Sequence, residues 1–127
     1  MTRARLPNRR PSMTETFSFV DTNGNAKEYT VTIGFDPETG RAAEIFLNGA
    51  KEGSQMEHIL ADAAVLVSIA LQSGNTLQAL SKSLARLPAV SPTPSELDDA
   101  PKARLPATVI GAALDAVKHV EDWAFAA

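Results

Sequence analysis

From Phe17 onward, apolar and polar residues alternate with a period of two. Phe17 and Phe19 share one face; Tyr29, Val31, Ile33 and Phe35 form a second run, with Thr30, Thr32 and Gly34 opposite. This is the pattern of half-buried strands, and Asp21-Thr22-Asn23-Gly24-Asn25 between the runs reads as the turn of a hairpin. A second turn, Asp36-Pro37-Glu38-Thr39-Gly40, leads into Ala42 to Asn48, where Ala43, Ile45 and Leu47 face one way and Glu44 and Phe46 the other. Three strands joined by tight turns form an antiparallel meander whose apolar face needs a cover.

Beyond Gly53 the period changes to that of a helix. Ser54 and Glu57 form a capping box and Gly74 is placed to end the helix they start. Met56, Ile59, Leu60, Ala63, Val67, Ala70 and Leu71 are expected to make its inward face; Val65, Leu66 and Ile69 fall partly outside it, so the helix is expected to be central. Asn75 or Thr76 can cap a short helix through about Arg86, with Leu77, Leu80 and Leu84 at helical spacing. Residues 87–105, rich in proline, read as a loop. Pro106 suits the first turn of a last helix, whose stripe of Val109, Ala112, Ala113, Ala116, Val117 and Val120 lies opposite Asp115, Lys118, Glu121 and Asp122. Its small residues invite close approach by the first helix, through Ala61, Ala64, Ser68 and Ala70, in the same chain or a second one. The expected fold class is α+β: a three-stranded antiparallel meander packed on about three helices.

Length and composition agree with one folded unit. The chain has 127 residues, 44% hydrophobic and 21% charged, which argues against wholesale disorder. The net charge of −3 is unevenly placed: residues 1–14 hold Arg3, Arg5, Arg9 and Arg10 without an acid, which leaves −7 for the rest. The expected organisation is therefore a basic arm, residues 1–14, on an acidic domain, residues 15–127. Such an arm can bind nucleic acid or an acidic partner, or fold back on its own body. The basic start leads into Pro7 and Asn8 rather than an apolar run, so a cytoplasmic location is expected, and the longest apolar stretch is too short to span a membrane.

The chain has no cysteine, which excludes disulfides, thiolate ligands and cysteine nucleophiles. His58 and Asp62 lie four apart on one helix face, but His119 is the only other histidine, and neither a metal centre nor an acid–base pair with a nucleophile is completed. No catalytic residue, metal ligand or cofactor is expected. Asp62 sits among apolar residues, and an arginine is its natural mate: Arg9 or Arg10 is expected to reach Asp62 or Glu44 and tie the arm down, unless Asp62 is simply exposed beside His58. Lys51, Gly53 and Ser54 lie where a strand meets a helix N-terminus and could hold a phosphate; Gly49 and Gly53 could equally only permit the turn, and the P-loop order is missing. No aromatic face alternates with Lys and Arg, so base stacking is unsupported and the arm alone would give weak, salt-sensitive contacts with nucleic acid.

The run from Gly40 to Ser54, GRAAEIFLNGAKEGS, followed by Asp62 to Gly74, DAAVLVSIALQSG, resembles the TSCPD domain. The resemblance covers about residues 28 to 86, with Ile110 to Asp115 and Leu6 to Arg10 similar to small stand-alone relatives. That domain lies near the C-terminus of adenosylcobalamin-dependent ribonucleotide reductases and occurs in short bacterial and phage-like proteins. The resemblance implies an accessory or regulatory domain connected with nucleotide reduction. The TSCPD peptide itself is missing here along with every cysteine, so the reductase's zinc ligands and electron-passing thiols cannot be carried over. The expected function is a non-catalytic binding module acting by protein–protein contact or self-association, through the arm and the exposed side of the last helix. The alternatives are a nucleotide- or phosphate-binding regulator using Lys51, Gly53 and Ser54, and a weak nucleic-acid binder using the arm.

Overall fold

The computed structural model describes residues 3, 5–21, 23–87 and 105–126, the side chains of 124–126 excepted; most of the loop expected at 87–105 therefore lies outside the described residues. The chain runs β1 (Ser12–Val20), β2 (Ala26–Phe35), β3 (Ala42–Asn48), α1 (Gln55–Gln72), α2 (Leu77–Ser83) and α3 (Val109–Ala126). The strands form one antiparallel sheet in the order β1-β2-β3, the meander that the alternation implies. Strand β1 begins at Ser12, inside the stretch read as arm.

Local chemistry fixes the turns. The Asp21 carboxylate accepts from the backbone N–H of Asn23 and Asn25, both at 2.9 Å, and Gly24 takes a φ of +83° that glycine adopts without strain. Asp36 repeats the device, accepting from the Glu38 N–H at 2.9 Å. Register places Phe17 opposite Tyr29, with rings stacked at 5.8 Å, and Ile33 between Met13 and Ile45. A bulge at Gly34/Phe35 pairs Phe35 with Ala42, and Ala42 and Ala43 are both buried.

One sheet face carries Val31, Ile33, Ile45 and Leu47, and the core forms between it and the helices. Leu114, Val117 and Val120 of α3, Ala64 of α1 and Leu77 of α2 close over Val31, Ile33 and Ile45. Fully burying a side chain of the size of Ile33 or Leu114 contributes about 1.5–3 kcal/mol. Leu114 is wholly buried although the stripe read from the sequence passes it by, and Glu121 is buried although that reading places it outside.

Helix α1 lies alongside β3, and α3 crosses the sheet with its main contacts on β1 and β2, so the expected close pairing of α1 with α3 is only a minor contact. The stripe that α1 buries is Leu60, Ala64, Ser68 and Gln72, one residue every turn. Ser68 accepts from the Ile45 N–H at 2.9 Å and donates to the Ile45 carbonyl at 3.3 Å; Gln72 donates to the Ala43 carbonyl at 3.0 Å. Side chains of α1 thus bond the outer edge of β3 at Ala43 and Ile45, where a fourth strand would otherwise pair. Met56 and Ile59, expected inside, are each 44% exposed, because the helix is turned to bring its two hydrogen-bonding residues to the sheet.

Helix α2 starts at Thr76, whose hydroxyl accepts from the Ala79 N–H, and stops at Ser83, short of Arg86. Leu87 then donates to the Leu105 carbonyl at 2.8 Å and Ala107 to that of Ala85 at 3.0 Å, so the chain on both sides of residues 88–104 is clamped in a short ladder. Pro106 belongs to this ladder, bridged to Arg86, rather than to the first turn of α3. Thr108 caps α3 instead: its hydroxyl accepts from Gly111 N–H at 3.1 Å and its carbonyl from Ala112 N–H at 3.1 Å.

Candidate functional site

The arm lies on the body. Arg10 donates through Nε to Glu44 Oε1 at 2.6 Å, its Nη2 approaches the same oxygen at 2.6 Å, and Nη1 donates to the Pro7 carbonyl at 2.8 Å. Gly34 makes this possible, since a Cβ there would stand 2.5 Å from Glu44 Oε1 and 2.6 Å from Glu44 Cγ. Further along, Arg3 donates to Gln72, the residue that also holds β3. Of the pairings open in the sequence, Arg10 with Glu44 is therefore formed, while Arg9 and Asp62 are exposed, and Asp62 lies on the outward side of α1 with His58. Glu44→Gln or Gly34→Ala is expected to speed tryptic cleavage at Arg9 about fivefold, the equivalent of ~1 kcal/mol for a partly exposed ion pair. Asp62→Ala should leave the rate unchanged; equal rates in all four proteins would refute the tie.

Lys51, Gly53 and Ser54 come together at the start of α1 in a loop already engaged by the helix. Ser54 Oγ accepts from the Glu57 N–H at 3.2 Å, and Glu57 Oε1 accepts from the Gly53 N–H at 3.1 Å. A phosphate seated there would have to displace the Glu57 carboxylate. Gly49, at φ +126°, packs where a Cβ would meet Tyr29 Cα at 2.9 Å, and Gly53, at φ +76°, faces open space.

Two further polar groups escape sequence reasoning. Arg86 bonds Asp115 with both terminal nitrogens, at 2.7 and 2.9 Å, and Ser81 adds a hydrogen bond to Asp115 at 3.1 Å. The Arg86 hydrogen bond holds the Asp115 carboxyl below the usual carboxylate range against the opposing effect of burial, and the carboxylate raises Arg86 in turn. Glu121 accepts from the Ala42 N–H at 2.9 Å, with Arg41 at 3.7 Å. Glu121 lines a groove of about 570 Å³ with Arg41, Gln72, Thr76, Lys118 and Asp122. The signal available for Glu121 is a polar side chain recurring at the spacing of a buried helix stripe, after Ala113 and Val117, as Ser68 and Gln72 do in α1.

The far end of α3 offers a different surface. Trp123 is 64% exposed and lines a shallow depression with Met13, Glu15, His119 and Val120. Among the described residues no three His, Asp or Glu are grouped to hold a metal ion, and no helix is long and apolar enough to cross a membrane.

A family model described as the TSCPD domain matches residues 3–117, which takes in most of the arm, the sheet, α1, α2 and half of α3. No curated protein and no solved structure matches the chain. The match runs far beyond the 28–86 core of the resemblance, and it shows that this chain belongs to the TSCPD domain family.

Proposed function

We propose that this chain is a non-catalytic accessory or regulatory module connected with nucleotide reduction, acting by protein–protein contact through the exposed side of α3. The observation that carries this reading is Trp123, left 64% exposed beside Met13 and His119. Tryptophan is the residue most enriched among those that dominate binding energy, and a large apolar side chain on a polar helix face is a ready anchor. Polar side chains of the kind that serve chemistry are committed to the fold instead: Ser68 and Gln72 to β3, Glu121 to Ala42, Asp115 to Arg86, Glu44 to the arm. Membership of the TSCPD family supports the link to ribonucleotide reductase.

The test is retention of purified ribonucleotide reductase from the same organism on immobilised chain, with reductase turnover measured as the chain is added. Binding that changes turnover, weakened at least about tenfold by Trp123→Ala, is the expected result. No retention and unchanged turnover at ~10 µM chain, or turnover of ribonucleotides by the chain alone, would sink the reading. A phosphate-binding role at Lys51, Gly53 and Ser54 would show instead as amide protection of that loop by nucleotide.

A further inference from the structure

Helix α1 spends one side on β3 and leaves the other uncovered among the described residues. Met56 and Ile59 are each 44% exposed and Leu66 67% exposed, with Ala63 and Ala70 half-buried between them. These positions, 56, 59, 63, 66, 70 and then Ser73, are spaced three and four apart in turn, the repeat by which one helix receives another. Val65, 56% exposed, and Ile69, 37% exposed, add further apolar side chains beside it.

We infer that this seam receives the α1 of a second copy of the chain, antiparallel and related by a two-fold axis. Side-chain size argues for the arrangement. Antiparallel pairing centred between Ala64 and Val65 sets Ala63 against Leu66, Ile59 against Ala70 and Met56 against Ser73 of the second copy, so that each layer joins one large side chain to one small one. Parallel pairing would put Leu66 on Leu66 and Ala63 on Ala63, alternating crowding with voids. The seam itself carries no charge. Helix dipoles also favour the antiparallel pair. An 18-residue helix paired along its length buries roughly 1,000 Å² in total, at the low end for specific complexes, the size of a reversible dimer.

The dimer is independent of the proposed role at Trp123: a dimer indifferent to reductase, or a reductase-binding monomer, would sink one reading and keep the other. Sedimentation equilibrium of the full chain between ~5 and ~200 µM should show a monomer–dimer equilibrium, and Leu66→Asp should raise Kd at least about tenfold with its circular dichroism unchanged. The absence of cysteine allows a second test that does not depend on a destabilising variant. Ile59→Cys and Ala70→Cys chains should form a disulfide when mixed and not when alone, since each position lies roughly 16 Å from its own copy. Ala63→Leu should weaken the antiparallel dimer by crowding Leu66. A monomer throughout that range, or Ile59→Cys chains that cross-link to themselves as fast as to Ala70→Cys, would overturn the proposal.

Discussion

Leu114→Ala is expected to lower the unfolding free energy by about 3–4 kcal/mol, from the lost transfer of the isobutyl group plus the cavity it leaves. Leu114 is wholly buried on α3 and closes over Val31, Ile33 and Ile45 together with Val117. Neighbours pinned by the sheet ladder cannot collapse into the space, which places the cost in the upper part of the range for such truncations. Urea unfolding followed by circular dichroism measures it, with Leu66→Ala, on the exposed side of α1, expected to stay within about 0.5 kcal/mol at protein concentrations below ~1 µM. A cost below about 1 kcal/mol at Leu114 would mean that α3 does not sit on the sheet as described.

Gly49→Ala is expected to cost about 3 kcal/mol at the junction of β3 and α1. The new Cβ would lie 2.9 Å from Tyr29 Cα and 3.1 Å from the Glu28 carbonyl oxygen, and both are backbone atoms that cannot swing aside. The φ of +126° adds strain for any residue with a side chain. Gly53→Ala is the internal control, with a positive φ but no atom within 4 Å, and should cost only about 1 kcal/mol. The same thermal or urea melts report both, and equal costs would remove the steric account. The pair also bears on the strand-to-helix loop: Gly49 is there for close approach of backbone to Tyr29, a structural duty that needs no ligand.

The features legible in the sequence are those set within a few residues. Asp21 and Asp36 bond backbone groups two to four positions on, Ser54 and Glu57 cap each other, and the alternation of Tyr29, Val31 and Ile33 follows from the pleat. The orientation of α1 is not local. With apolar residues on most of its circumference, periodicity alone cannot say which side turns inward; the decision falls to Ser68 and Gln72, whose partners Ile45 and Ala43 are far away in the chain. For the same reason Glu121 reads as a solvent-facing acid until Ala42 is brought to it. The ladder of Arg86 with Pro106 delays α3 to Val109, a tertiary contact that overrides proline's preference for a first turn. At the candidate site, Arg10 with Glu44 could be read from opposite charges, whereas Trp123 becomes an anchor only once the core is known to leave it outside.

The way α1 holds β3 bears on how this protein would fail under stress. Two polar side chains, a hydroxyl and an amide, stand in for a neighbouring strand at Ala43 and Ile45 of β3, a segment of sequence AAEIFLN with one charge and no proline. Were the helix to lift away, that ribbon would be bared as a template for cross-β stacking. Solubility on heating should then track the attachment of α1 more closely than the melting of the sheet.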